Sequence, residues 1–544
     1  MRKTANGFFT LLLLCLPAVL LGNEPAQGLK PMAEGQTAMV ATAHPRATEA
    51  ALEILKAGGN AMDAGLAAMV LLTVIEPEMA TLAGGGGLIY FDAAKAETRY
   101  LNFEPDMVRE PDGRYDPGNE SDKRSGRSIL VPGSVAGLKL ASERCGKLPW
   151  AKLFDPAIRA AEEGFAQYPF LYYQMLERYP VLARLPEPRG IFLSGGFVPS
   201  PGSVIRQKAL GATLRRLAAE GSEYFYRGEW GRRFVEAVRA LGGAITREDM
   251  AGYRARLLQP LEIPYRGMVF KGSPPPDTGG FVIGQMLRLL EEVDLKAMGH
   301  FSDSAETLHL MANAMALSLD EARRFIKDPE YHAIPLETLL SKEHARERLA
   351  LLRASGPRPA RTSSSGEINT THLSLVDKDG NALALTHTVY GDPFSTSGLF
   401  VDGVCVNSAR QLAYGWHLEH GHRMASPVTP ALVFREGTPV LAAGSPGQAI
   451  QATFFTTVNV LDYGMGLDQA LAAPRFTVSR SGIEVESRIP DQVVGGLRER
   501  GNHVEWVGDF NWHFGGVHAV LIDRQAGKLY GAADPRRTGQ AKGY

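Results

Sequence analysis

Apolar and polar residues alternate along Thr371–Val376 and again along Ala382–Thr388, the period of two that marks a strand. Between them, Asp377-Lys378-Asp379-Gly380-Asn381 carries an Asp-Gly turn signal, so the two runs form a hairpin. With Asp379 and Gly380 as the central turn residues, Lys378 pairs with Asn381. Counting outward then sets Thr371 opposite Thr388, with Cα atoms about 5 Å apart. A second strand pair reads at residues 88–91 and 98–103. Helical spacing of apolar residues predicts an amphipathic helix over 47–56, ended by Gly58-Gly59, and a helix over 63–75 that is apolar on nearly every side. From 135 to about 295 the pattern is helical, with loops at 179–180, 185–202 and 273–280, and further helices follow at 304–326, 337–354 and 449–462. Residues 28–35 read as an irregular strap. Strands near both ends with helices between them predict an α+β layered sandwich, its sheets buried between helical layers.

The hairpin begins where a Ser/Pro-rich connector, residues 355–366, stops. That connector has too few apolar residues to pack, which makes it an exposed, mobile segment. Asn369-Thr370-Thr371-His372 stands at the junction. A threonine hydroxyl is a poor nucleophile alone. An N-terminal threonine carries its own base, an α-amine with a pKa of roughly 8. A cut between Asn369 and Thr370 would create that group, and Thr388 across the hairpin could hold the Thr370 hydroxyl in one rotamer. The competing reading is a surface loop leading into an ordinary hairpin, threonine being at home in strands.

Composition narrows the classes. The 544 residues are 44% hydrophobic, enough for a large core and two to four domain-sized units. Lys plus Arg number 58 against 59 Asp plus Glu, a net charge of −1 that offers no electrostatic footprint for nucleic acid or anionic lipid. Arg2 and Lys3 precede an apolar run over 8–21, which reads as a secretory signal spanning 1–26 and implies a periplasmic or secreted protein, the alternative being retention of the same segment as an uncleaved anchor. No later run is long and apolar enough to span a membrane, so no stable membrane insertion is expected once the signal is removed. Cys15 follows Leu14, not the small residue a lipid-attachment site wants. Removing the signal leaves Cys145 and Cys405, too few for a disulfide framework; Cys405 reads as a buried core thiol.

Seven stretches, taken together and in order, resemble the gamma-glutamyltranspeptidase family. They are residues 50–64 (Ala50 to Ala64, with Gly58-Gly59-Asn60), Gly84-Gly85-Gly86-Gly87, Val131-Pro132-Gly133-Ser134-Val135-Ala136-Gly137, Pro274-Pro275-Pro276-Asp277-Thr278-Gly279-Gly280, Thr370-Thr371-His372, Gly444-Ser445-Pro446-Gly447 and Asp534-Pro535-Arg536. The resemblance implies an N-terminal-nucleophile hydrolase with a four-layer αββα sandwich, cut into a large subunit, 27–369, and a small subunit, 370–544. It also implies roles. Thr370 would be the catalytic nucleophile, formed by cleavage after Asn369, with Thr388 as the threonine that touches it; Gly447 and Gln448 would donate backbone N–H groups to an oxyanion. The substrate would be a small-molecule amide. No metal and no organic cofactor is needed.

Other readings of these motifs are weaker. The glycine run at 84–87 lacks the following Lys-Ser/Thr of a phosphate cradle and reads as a tight strand start or a wall of the substrate site. Ser445 lacks the flanking glycines of a nucleophile elbow. His417, His420 and His422 around Glu419 lie in a loop and form no helical pair of metal ligands, so no metal site is assigned.

The chain departs from the family pattern where the glutamyl group would bind. Glu104 stands where the family has an arginine for the substrate α-carboxylate, and Pro427 replaces the second of two serines of which Ser426 remains. Tyr390, Ala409 and Leu412 replace an asparagine, a glutamine or glutamate, and an aspartate that surround the α-amino group. Losing charged partners at both ends of a zwitterion costs a factor of more than about 100 in affinity. The expectation is therefore a self-processed amidohydrolase or acyltransferase whose acyl group need not be glutamyl. The alternatives are an ordinary glutathione hydrolase and gamma-glutamyltransferase, or a non-catalytic secreted homologue acting as a binding protein.

Overall fold

A computed structural model describes residues 29–110, 115–354, 356, 369–410 and 419–544. The expected signal, nearly all of the Ser/Pro-rich connector, Leu412 and His417 lie outside them.

Two antiparallel seven-stranded sheets stack face to face. In the first, the order is Gln540–Gly543, Met39–Thr42, Thr371–Val376, Ala382–Thr388, Gly85–Asp92, Glu97–Asn102 and Arg256–Leu258. In the second it is Ala33–Gly35, Lys528–Ala533, His518–Asp523, Thr438–Gly444, Ala431–Arg435, Met268–Gly272 and Leu261–Tyr265. Strand alternation sorts side chains into three apolar layers. Leu373, Leu375, Leu383 and Leu385 face the helices outside the first sheet, while Val376, Ala382 and Ala384 face the second sheet. Val433 and Leu441 face the helices of the second sheet; Leu432, Ala442 and Val520 look inward. The expected αββα sandwich is what forms.

The helix Ala61–Ile75 is buried along its whole length, as its all-round apolar sequence requires, and a reciprocal Asn60–Asp63 capping box starts it. It packs on the hairpin strands. Gly279–Leu290 and Ala449–Leu461 cover the second sheet, and Ala305–Phe325 packs on the outside of Gly279–Leu290. Among the described residues no helix is long and apolar enough to cross a membrane.

The helical stretch expected from 135 to 295 is corrected in its last third, which holds the strands Arg256–Leu258, Leu261–Tyr265 and Met268–Gly272. Arg266 and Gly267 turn the last two, with φ of 47° and 76°. Two left-handed residues in a two-residue loop suit the twist of a tight hairpin, so Gly267 was the available signal. The loops expected at 179–180 and 185–202 contain the short helices Tyr179–Leu182 and Pro186–Phe192, each with proline in its first turn. The strap at 28–35 ends as an edge strand, Ala33–Gly35.

Candidate active site

Thr370 sits at the start of a strand in the middle of the first sheet, 6% exposed, and Asn369 before it is buried. The hairpin register differs from the count by one residue: Thr371 pairs with His387. Asp377 is the reason. Its Oδ1 accepts from the N–H groups of Asp379 at 2.9 Å and Asn381 at 3.0 Å, which makes a three-residue turn with Gly380 at φ 83°. Extending the observed register sets Thr370, and not Thr371, across from Thr388.

Thr388 is therefore at the expected place but makes a different contact. Its hydroxyl donates to the carbonyl oxygen of Asn369 at 3.0 Å, and its own oxygen accepts from the N–H of Tyr390 at 3.0 Å. The Thr370 hydroxyl meets the same Asn369 carbonyl. On the far side, the Thr370 carbonyl accepts from Arg537 Nη1 at 3.1 Å. Asn369 is clamped through Nδ2, which donates to the carbonyls of Glu78 at 3.1 Å and Asp392 at 2.6 Å. The peptide bond between Asn369 and Thr370 is thus held from both ends, with a hydroxyl on each side of its carbonyl.

Three buried ionisable groups surround this bond. Glu76 accepts from the Thr371 hydroxyl at 2.8 Å, and burial raises its pKa to about 7, with Thr371 and Arg537 pulling the other way. Burial and the nearby Glu76 push Glu78 well above the usual carboxylate range. Burial lowers Arg537 to about 10, the carboxyls opposing, so it stays cationic at neutral pH. Its guanidinium lies 5.2 Å from the Trp512 ring and 5.9 Å from that of Phe170. None of these three was singled out from sequence. Arg537 directly follows the Asp534-Pro535-Arg536 motif, and two acids flank Pro77 in a buried segment; those were the signals. The nearby histidines are not proton carriers at neutral pH, since burial pushes both His387 and His518 down to about 3 and His372 well below its usual value.

The glycine run opens the strand Gly85–Asp92, where a side chain on Gly84 would run into the carbonyl of Thr388 and one on Gly86 into that of Thr386. The backbone beside Thr388 can approach so closely only without Cβ atoms. Gly444-Ser445-Pro446-Gly447 turns the strand Thr438–Gly444 into the helix Ala449–Leu461. Gly447 has φ of 69°, and a Cβ there would press on the His513 carbonyl at 2.9 Å and Arg537 Nη2 at 3.0 Å. Gln448 has φ of −69°, a value any residue adopts, and its N–H donates to the His513 carbonyl at 3.0 Å. In the uncut chain, then, one of the two expected oxyanion donors already has a partner.

Glu104, Tyr390 and Ser426 come together, all buried. The Tyr390 hydroxyl donates to Glu104 Oε2. Burial first, and then the neighbouring Asp277, raise the Glu104 pKa well above the carboxylate range, while Ser426 and Arg423 pull it partly back. Asp277 accepts from the Tyr100 hydroxyl at 2.5 Å and Asn102 Nδ2 at 3.0 Å, and burial raises it to about 7. Glu104 Oε1 and Ser426 Oγ are buried with no well-formed hydrogen bond among the described residues. Ala409 is buried and its N–H donates to Asn407 Oδ1 at 3.1 Å; Leu412 is outside the described residues.

Comparison with known proteins agrees with this geometry. The profile of the family described as Gamma-glutamyltranspeptidase matches residues 47–544. The chain is 32% identical over 530 residues to the Acylase ACY 1 proenzyme of Pseudomonas sp. (strain V22), covering 94% of each. It is 30% identical to the Glutathione hydrolase proenzyme of Bacillus subtilis (strain 168), covering 100% of this chain and 99% of that one. Among solved structures, cephalosporin acylase from Bacillus halodurans superposes with a TM-score of 0.84 at 25% identity, over 96% of this chain and 98% of that one. A match that runs through the buried 369–370 bond, the glycine run and the turn at Gly447 identifies this chain as a member of the gamma-glutamyltranspeptidase family.

Proposed function

We propose that the chain cuts itself before Thr370 and then works as a threonine-nucleophile amidohydrolase or acyltransferase on an acyl group other than glutamyl. The supporting observation is the grip on the 369–370 bond, with both the Thr370 and Thr388 hydroxyls on its carbonyl oxygen. Attack of Thr370 Oγ on the Asn369 carbonyl carbon breaks the C–N bond, passes the hydroxyl proton to the departing Thr370 nitrogen and leaves an ester. Thr388 donates to the oxygen that gains negative charge, and water opens the ester. The products are an Asn369 carboxylate and the Thr370 α-amine. That amine then takes the Thr370 hydroxyl proton as the oxygen attacks a substrate amide, and returns it to the leaving amine; water or a second amine resolves the acyl-enzyme.

The acyl pocket is supported by Glu104. A γ-glutamyl carboxylate would meet a buried acid there instead of a guanidinium, the Tyr390 hydroxyl already donates to that acid, and Pro427 has no hydroxyl to donate. Relatives of nearly equal similarity bear acylase and glutathione hydrolase names, so the scaffold itself does not demand glutamyl. The basic start and apolar run of residues 1–26 support export to the periplasm or medium.

The test has two stages. Intact mass of purified protein should give two fragments, the smaller beginning at Thr370, and Thr370→Ala should give one chain. An unbroken, active protein would end the proposal. Processed protein is then offered anilides: an uncharged acyl anilide should exceed the γ-glutamyl anilide in kcat/KM by at least about 100-fold. The reverse order would leave self-processing standing and remove the pocket assignment.

A further inference from the structure

Away from Thr370, His332, Glu419 and His422 converge from loops 87 to 90 residues apart in sequence, and their donor atoms all lie within 4.8 Å of one another. His332 Nε2 is 3.4 Å from Glu419 Oε1, and His422 Nδ1 is 3.9 Å from Glu419 Oε2. Around a tetrahedral zinc ion with bonds of about 2.1 Å, donor atoms sit about 3.4 Å apart. We infer that these three residues form a divalent transition-metal site of the zinc class, with two imidazole nitrogens, one carboxylate and an open fourth position.

The scaffold under the three side chains is built in advance. Asp328 accepts two hydrogen bonds from Arg256, at 2.7 and 3.1 Å, and one from the Arg423 N–H at 2.8 Å, which ties the two loops together. Its own carbonyl accepts from the N–H groups of both Tyr331 and His332 at 3.1 Å. On the other loop, the N–H of His422 donates to the Glu419 carbonyl at 3.1 Å, and the His422 carbonyl accepts from Met107 N–H at 2.9 Å. The Tyr331 ring stacks on the His422 ring, 3.7 Å between centroids and 6° between planes, which fixes the imidazole with Nδ1 toward Glu419. His420 is held elsewhere, its Nδ1 on the Val108 carbonyl at 3.1 Å. Loop bracing and ring stacking of this kind are what a metal site needs so that ligands need move only by about an ångström.

Imidazole donors favour zinc, nickel, copper or cobalt over calcium or magnesium, which take oxygen. The bound ion would pin the turn 419–422, which leads through Arg423 and Met424 to Ser426. Arg423 in turn donates to Asp106 at 2.5 Å and to Asn102 Oδ1 at 2.8 Å, beside Glu104. The metal is thus structural, bracing one wall of the acyl pocket, and takes no part in the Thr370 chemistry.

Zn²⁺ alone is titrated calorimetrically into the full, chelator-treated protein, and Co²⁺ is used for its visible spectrum. One equivalent should bind, with d–d absorption of a four- or five-coordinate ion and a melting temperature that rises with metal concentration. His332→Ala, His422→Ala and the shape-preserving Glu419→Gln should each weaken binding at least about 10-fold. His503→Ala, at an exposed His–Glu pair elsewhere, should change nothing. Absence of stoichiometric binding, or binding that all three site variants keep, overturns the site.

Discussion

In the proposed self-cleavage Thr388 would act through a single hydroxyl hydrogen. Its oxygen is occupied by the Tyr390 N–H, so the hydrogen goes to the Asn369 carbonyl, where charge gathers during self-cleavage. Removing one such donor costs about 100- to 1,000-fold in other hydrolases. Thr388→Ala should slow the appearance of fragments by about that factor in a gel time course, and Thr388→Ser should restore most of the rate. Asp277 offers a prediction on stability. Its carboxyl is protonated in the fold up to about pH 7, because burial outweighs its hydrogen bonds, whereas in the unfolded chain it ionises near pH 3.8. Between those values the folded state holds a proton that the unfolded state releases, so stability falls as pH rises, by at most about 1.4 kcal/mol per pH unit. Asp277→Asn should therefore gain on the parent from pH 4 to pH 7, read as a growing difference in urea midpoints. A difference that stays constant would show Asp277 to be ionised throughout.

At the scale of elements, the turn at Asp377 organises both the hairpin and the helix beside it. Asp377 Oδ2 accepts from the Ala61 N–H at 2.8 Å, at the start of Ala61–Ile75, and from Asn381 Nδ2 at 2.8 Å. Asp377→Ala leaves buried donors unpaired and should cost about 3 kcal/mol in denaturant unfolding, where loss of an ordinary turn residue would cost under about 1 kcal/mol. The same side chain marks the limit of what could be read from the sequence. Alternation showed both hairpin strands, the Asp-Gly pair showed the turn, and the buried helix followed from its composition. The register depended on whether Asp377 would hydrogen-bond back into the loop, a choice decided by the helix it also caps. The strands from 256 to 272 were missed because each is only three to five residues long and Pro264 interrupts their pattern. Thr370 and the Gly447 turn stood out as motifs, whereas Thr388 was reached by counting along the hairpin, a count one residue off. The meeting of Glu76, Glu78 and Arg537, over 450 residues apart, was not, since no local period records it.

On the scale of the whole molecule, a net charge of −1 gives no overall field to steer a charged polymer, and three apolar layers hold the two sheets between helices. The order of strands has a further consequence. If the backbone opens at 369–370, the strand Met39–Thr42 stays wedged between Gln540–Gly543 and Thr371–Val376, and Lys528–Ala533 stays wedged between Ala33–Gly35 and His518–Asp523. Neither piece owns a complete sheet, so each would be the other's missing interior, and scission would alter connectivity without creating a separable interface. The halves should travel as one species in native chromatography at any dilution, part only in denaturant, and regain their shape poorly when expressed apart.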